Sequence, residues 1–236
     1  MTASMKDFNP RAMRYDLQII ASWIHPGSRV IGLGCGEGDL LYYLKHYKNV
    51  RETGVEIVES RVAECINKGL TVIQGDANEE VIDYPDDTFD YVVLSQTLQQ
   101  VYDPLSLIRS MLRIGKKVIV SFPNFGHWFV RLQLLFTGHA PVTPQLPFQW
   151  YNTPNIRVLC ISDFRAFARQ MGFHILKEAT INTDREDKTG RYVAFMPNIR
   201  ATYGIYLISS KTKHANRPKY KAKAGTHKEH PWEKAM

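Results

Sequence analysis

Nine residues, Val30 to Gly38 (VIGLGCGEG), restrict what this chain can fold into more than any other stretch. They set Gly34, Gly36 and Gly38 in alternation between a run that reads as a buried strand, Arg29 to Leu33, and a helix with apolar positions at Leu40, Leu41 and Leu44. Glycine takes φ above zero without steric penalty and lets the backbone approach a ligand closely, so this spacing specifies a tight strand-to-helix turn with an accessible floor. The dinucleotide fingerprint G-x-G-x-x-G fails in both registers, because Gly32 and Gly34 would need a glycine at Glu37, and Gly34 and Gly36 one at Asp39. NAD and FAD are thereby disfavoured. Taken alone, the turn is equally consistent with a connection that binds nothing.

The surrounding pattern repeats the theme. A lead-in helix over Leu17 to Ile24 is stopped by Pro26 and Gly27. Beyond the glycines, a second strand is expected over Glu52 to Val58, a helix over Ser60 to Lys68 closed by Gly69, and a third strand over Leu70 to Gln74. Phe89 to Leu94 and Lys116 to Val120 read as the fourth and fifth strands, with Asp103 and Pro104 opening the helix between them. Alternating strands and helices joined by short loops indicate a parallel sheet covered on both faces. Residues 121 to 155 break the rhythm with prolines and aromatics, as a lid or binding insert after the fifth strand would. Ser162 is the expected cap of a helix over Asp163 to Met171, and Phe173 to Ile181 and Tyr203 to Ser209 read as two further strands joined by a polar loop with no assignable structure.

Two carboxylates stand where ligand chemistry would want them. Glu56, at the end of the second strand, can accept hydrogen bonds from both hydroxyls of a ribose, or be a surface glutamate. Asp76, after the third strand, can reach an adenine amino group, or cap a helix. Composition narrows the remaining options. The net charge of +7 is concentrated in residues 211 to 236, which hold eight Lys or Arg and two Glu, a net +6, and leave +1 for residues 1 to 210. A nearly neutral body disfavours nucleic acid as a partner. The Lys-rich tail lacks the apolar residues to offset its ordering entropy and is expected to be disordered. No stretch is apolar enough to span a membrane, and no secretory signal is visible, so the expected compartment is the cytoplasm. Cys35, Cys65 and Cys160 fit neither a disulfide framework nor a zinc site, and no metal is expected.

In this order the Gly turn, Glu56 and Asp76 resemble the class I S-adenosylmethionine-dependent methyltransferases. The resemblance implies a Rossmann-like α/β fold with a mostly parallel seven-stranded sheet, spanning residues 1 to 210. It also implies cofactor contacts at Gly34, Cys35, Gly36 and Gly38, at Glu56 and Ile57, at Asp76 and Ala77, and at Ser95. One departure stands out: that class usually carries Asp or Glu, facing the methionine ammonium, where this chain has Gly32. Losing one charge-assisted hydrogen bond costs on the order of 1.5–3 kcal/mol, about 10- to 100-fold in affinity, so weakened binding of S-adenosylmethionine or S-adenosylhomocysteine is expected. Asp16, in the lead-in helix, is a candidate substitute carboxylate.

No catalytic residue is evident. Methyl transfer needs an in-line acceptor and little more than positioning, and the sequence after the fourth strand, Leu94 to Gln99, lacks the N-P-P-Y-type turn of enzymes that methylate amino groups of nucleic-acid bases. His127, Trp128, His139, Trp150 and Tyr151 are candidate pocket residues in the insert. Three longer strings, Arg14 to Leu17, Val118 to Trp128 and Pro147 to Ile156, are similar to the MetW proteins of bacterial methionine biosynthesis. That resemblance implies a partner or activator of homoserine O-acyltransferase. The alternative is an active methyltransferase on a small-molecule or protein substrate.

Overall fold

The computed structural model describes residue 9 and residues 12–210; the basic tail, 211–236, lies outside the described residues. The turn signals resolve into an eight-stranded sheet of order β3-β2-β1-β4-β5-β8-β6-β7. The strands are β1 (Arg29–Leu33), β2 (Arg51–Glu56), β3 (Val72–Gln74), β4 (Phe89–Ser95), β5 (Gly115–Pro123), β6 (Phe173–Thr183), β7 (Gly190–Tyr192) and β8 (Tyr203–Ser210). The first five are parallel, while β8 runs antiparallel to both β5 and β6. The expected seven strands are present. The eighth, β7, is a three-residue edge strand in the polar loop that the sequence left unassigned, pairing Tyr192 with Ile181.

Side-chain alternation divides the core into two layers. Ile31, Leu33, Val92, Leu94, Val118, Val120 and Phe122 pack against α4 (Ala77–Asp83), α5 (Pro104–Ile114) and α7 (Ile161–Met171). Val30, Tyr91, Val93 and Ile119 face α1 (Tyr15–Trp23), α2 (Asp39–Lys48) and α3 (Glu59–Asn67). The same alternation turns Gly32, Ser95 and Ser121 toward the second layer, and all three lie near or at the carboxyl ends of β1, β4 and β5, where open α/β sheets hold ligands.

β5 runs three residues into the expected insert because β8 pairs with Ser121, Phe122 and Pro123. The chain then leaves the sheet at Asn124, whose buried amide ties three segments together. Its Nδ2 donates to the carbonyls of Asn198 (3.0 Å) and Ala201 (2.8 Å), and its Oδ1 accepts from the backbone N–H groups of Gly126 (3.0 Å) and Ile161 (3.3 Å). The insert contains α6 (Trp128–Thr137), which buries only Val130. It is fastened at its far end, where the N–H groups of Ile156 and Arg157 both donate to the Gln99 carbonyl at 3.0 Å. The helix expected to be capped by Ser162 begins earlier, at Ile161, with Cys160 as its cap. The reason is tertiary: Asn124 and Asn198 side chains accept the first-turn N–H groups of Ile161 and Ser162, and the Asp163 carboxylate accepts from the Cys160 N–H.

Candidate functional site

All three glycines of the turn adopt positive φ: Gly34 +62°, Gly36 +59° and Gly38 +79°. Their surroundings differ. A Cβ on Gly34 would lie 2.8 Å from Thr97 Oγ1, and one on Gly38 would lie 2.5 Å from a Leu70 methyl, whereas one on Gly36 would meet nothing within 4 Å. Gly34 and Gly38 are therefore required by packing as well as by conformation, and Gly36 opens onto free space. Glu56 holds this turn in place. Although only 4% exposed, its carboxylate accepts three backbone N–H groups, Gly36 at 2.7 Å on Oε2 and Ile57 and Val58 at 3.0 and 3.1 Å on Oε1. A carboxylate offers about four acceptor positions, so one remains on Oε2 for a hydroxyl.

Asp76 is the helix cap that was one of its two sequence interpretations. As the cap of α4, its Oδ1 accepts from the Asn78 N–H (2.7 Å) and side-chain amide (2.9 Å); no hydrogen bond of the described residues engages Oδ2, which is available to an amino group. Ile57 is 63% exposed beside Glu56, an apolar surface on which a purine ring can lie. The Gly36 opening, the spare acceptors of Glu56 and Asp76 and the bare Ile57 fit the nucleoside part of S-adenosylmethionine. Cys35 is a wall residue: burial, then the neighbouring Cys65 thiol and the Glu56 charge, push its thiol well above the ordinary value. It carries no thiolate at neutral pH.

Ser95 belongs to a polar cluster that the sequence did not assemble. Asp16, 2% exposed, accepts on Oδ2 from the hydroxyls of Ser95 and Ser121 (both 3.1 Å), from Arg14 Nη2 (3.3 Å) and from Gln96 Nε2 (3.4 Å), while Arg14 Nε donates to Oδ1 at 3.2 Å. Arg14 Nη2 also donates to Ser95 Oγ at 2.9 Å. Gln96 reaches in from a left-handed conformation, φ +53°, which nothing in its sequence signals. Ala77, by contrast, packs against the core beneath α4.

Beyond Ser121 along β5 lies a cavity of about 210 Å³ lined by Pro123, His127, Trp128, Leu146, Asn182 and Arg185, among others. It takes in two of the five candidate insert residues; His139, Trp150 and Tyr151 do not line it. His127 caps α6, its Nδ1 accepting from the Phe129 N–H at 3.3 Å. Burial lowers its pKa, so the neutral imidazole carries its proton on Nε2, which is buried without a partner. Among the described residues there is no group of His, Cys, Asp or Glu that could hold a metal ion, and no helix long and apolar enough to cross a membrane.

Parallel strands in the order 3-2-1-4-5, an antiparallel strand beside β5 and a glycine floor held by Glu56 define the class I S-adenosylmethionine-dependent methyltransferase fold. Solved structures agree. A methyltransferase from Archaeoglobus fulgidus superposes with a TM-score of 0.64, at 14% identity over 85% of this chain and 94% of its own. A methyltransferase from Thermotoga maritima, described as a possible histamine N-methyltransferase, gives 0.61 at 18% identity over 83% and 87%. At these identities the likeness establishes the fold alone. The sequence goes further: residues 14–208 match the model of the methionine biosynthesis protein MetW, and the chain belongs to that family. A bifunctional methionine biosynthesis protein MetXA/MetW from Rhodopirellula baltica is 34% identical over 182 residues, 73% of this chain and 29% of that protein. A ubiquinone/menaquinone biosynthesis C-methyltransferase from Vibrio vulnificus is 31% identical over 118 residues, 44% of this chain and 45% of its own length. The chain thus spans less than half of either relative.

Proposed function

We propose that this MetW-family protein acts in methionine biosynthesis as a partner or activator of homoserine O-acyltransferase, and that its glycine floor binds S-adenosylmethionine or S-adenosylhomocysteine. One observation carries the first part: the Rhodopirellula baltica relative unites MetXA and MetW in a single chain, and fused proteins are commonly ones that work in contact. Helix α6 supports it. With only Val130 buried, it presents Leu135 and Phe136 to solvent, apolar area of the sort that a partner covers. The second part rests on the open Gly36 position and the unused acceptors of Glu56 and Asp76.

The bound cofactor would supply an electrophilic methyl group and a charged sulfonium. What the chain itself contributes is binding and orientation: Glu56 fixes the floor and offers an oxygen to the ribose, Asp76 offers one to adenine, and Ile57 covers the ring. Active methyl transfer remains a second interpretation, favoured by the intact floor and by the cavity at Pro123 and Asn124, where β5 ends, which would take an acceptor. Two measurements separate these functions. Co-elution with the same organism's homoserine O-acyltransferase on size exclusion is expected for the partner role. Release of S-adenosylhomocysteine in the presence of an acceptor would establish catalysis, and no complex together with such release would overturn the partner role.

A further inference from the structure

Gly32 leaves β1 without a carboxylate, and a Cβ there would make ordinary van der Waals contact with Leu41 and Cys35 carbons at 3.4 and 3.5 Å. Apart from Glu56, which braces the floor, the buried carboxylate at the mouth of the turn comes from α1. Asp16 lies over Ser95 and Ser121, which are paired across β4 and β5. Thr97, whose hydroxyl donates to the Ser95 carbonyl at 3.0 Å, in turn abuts Gly34. The carboxylate is therefore on the same face of the sheet as the missing acid, one strand removed.

A carboxylate this deeply buried must keep a positive partner, because its charge is costly to leave unpaired. Arg14 fills that place, but it differs from Asp16 in two ways. Its side chain is 40% exposed, and it belongs to the residue ahead of α1, outside the helix, with φ −50° and ψ 142°. The two serine hydroxyls would continue to bond Asp16 if the guanidinium moved. The arrangement is a buried anion under a movable cation, and only another cation can take over without leaving the anion bare.

We propose that Arg14 and Asp16 form a clamp for a zwitterionic α-amino acid head, with Asp16 taking the ammonium and Arg14 swinging outward to take the carboxylate. This rests on the cofactor reading above and specifies it: the clamp holds the amino acid end of S-adenosylmethionine or S-adenosylhomocysteine in place of the acid absent at position 32. In the free protein Arg14 occupies the ammonium's position, and binding exchanges one cation on Asp16 for another.

The test is calorimetric titration of the full-length protein with three probes: S-adenosylhomocysteine, 5′-methylthioadenosine, which lacks the amino acid head, and decarboxylated S-adenosylmethionine, which keeps only the amine. The wild type is expected to bind S-adenosylhomocysteine about ten- to a hundredfold more tightly than methylthioadenosine, the size of one charge-assisted contact. Asp16→Asn is expected to reduce that margin to less than about threefold while leaving methylthioadenosine binding unchanged. Arg14→Lys keeps a cation over Asp16 but cannot grip a carboxylate with two N–H groups, and it is the second variant if Asp16→Asn fails to fold. It is expected to weaken S-adenosylhomocysteine about tenfold, with the decarboxylated probe unaffected. An undiminished margin in Asp16→Asn, or in Arg14→Lys, overturns the clamp while the nucleoside site stands. Failure of the wild type to bind any of the three overturns the cofactor reading and the clamp with it.

Discussion

Replacing Glu56 with glutamine changes one atom, and its effect follows from the three N–H groups that the carboxylate accepts. An amide has one acceptor oxygen. If that oxygen faces Ile57 and Val58, the new NH2 confronts the Gly36 N–H, donor against donor, and the 2.7 Å bond is lost; the opposite orientation loses two bonds. The first is the cheaper, and it removes a charge-assisted bond of about 1.5–3 kcal/mol while reducing the surviving pair toward neutral values near 1 kcal/mol. Glu56→Gln is therefore expected to destabilise the protein by about 2–4 kcal/mol, a drop of roughly 5–15 °C in melting temperature for a domain of this size. It should also detach the Gly36 segment, so that S-adenosylhomocysteine binding falls even though an amide can still meet a ribose hydroxyl. Urea titration followed by circular dichroism measures the first effect, calorimetry the second. A variant as stable as wild type would refute the argument that Glu56 braces the turn, and unchanged ligand affinity would refute the link between that brace and the site.

The glycines supply a contrast: Gly34→Ala combines strained φ with a 2.8 Å approach to Thr97 Oγ1 and should cost more than the roughly 1–3 kcal/mol of strain alone. Thr97→Ala should recover part of it in denaturant titration. Gly36→Ala meets open space, so it should cost only the strain and yet abolish cofactor binding by filling the ligand's place. Asn124→Ala leaves up to four backbone groups without partners, which predicts a loss of about 3–5 kcal/mol and faster proteolysis within 124–160. Burial lowers the His127 pKa, so the unfolded chain binds a proton that the folded chain does not as pH falls through about 6.5. The stability from the neutral form is present above that pH and lost below it. His127→Asn keeps a capping side chain and should flatten the dependence of the urea midpoint between pH 7.5 and 5.

The parallel half of the sheet was legible because its signals are local. Gly34, Gly36 and Gly38 punctuate a strand and a helix, Gly69 ends α3, and Asp103-Pro104 starts α5, each through backbone preferences that need no distant partner. What the sequence hid depends on tertiary contacts. Cys160 displaced Ser162 as a cap because Asn124 and Asn198 reach the first turn of α7 from far along the chain. Strand β7 is three residues long and exists only as a ladder on β6. In the site, Glu56 and Asp76 could be placed by their position after a strand, but the cluster around Asp16 joins residues up to 105 positions apart. Periodicity carries no record of such a meeting. Asp16 is a candidate from sequence only because Gly32 leaves a charge to be accounted for, and nothing in the string Arg14 to Leu17 marks Arg14 as that charge's counter-ion.

The central claim, that this chain supports homoserine acylation, is tested most directly by the acyl-transfer rate of the same organism's homoserine O-acyltransferase with and without it, S-adenosylmethionine being the second variable. A clear rise in rate on adding the protein is the predicted result, with any change on adding S-adenosylmethionine abolished by Gly36→Ala. An unchanged rate, with no co-elution of the two proteins, would contradict the account and leave methyl transfer as the function to pursue.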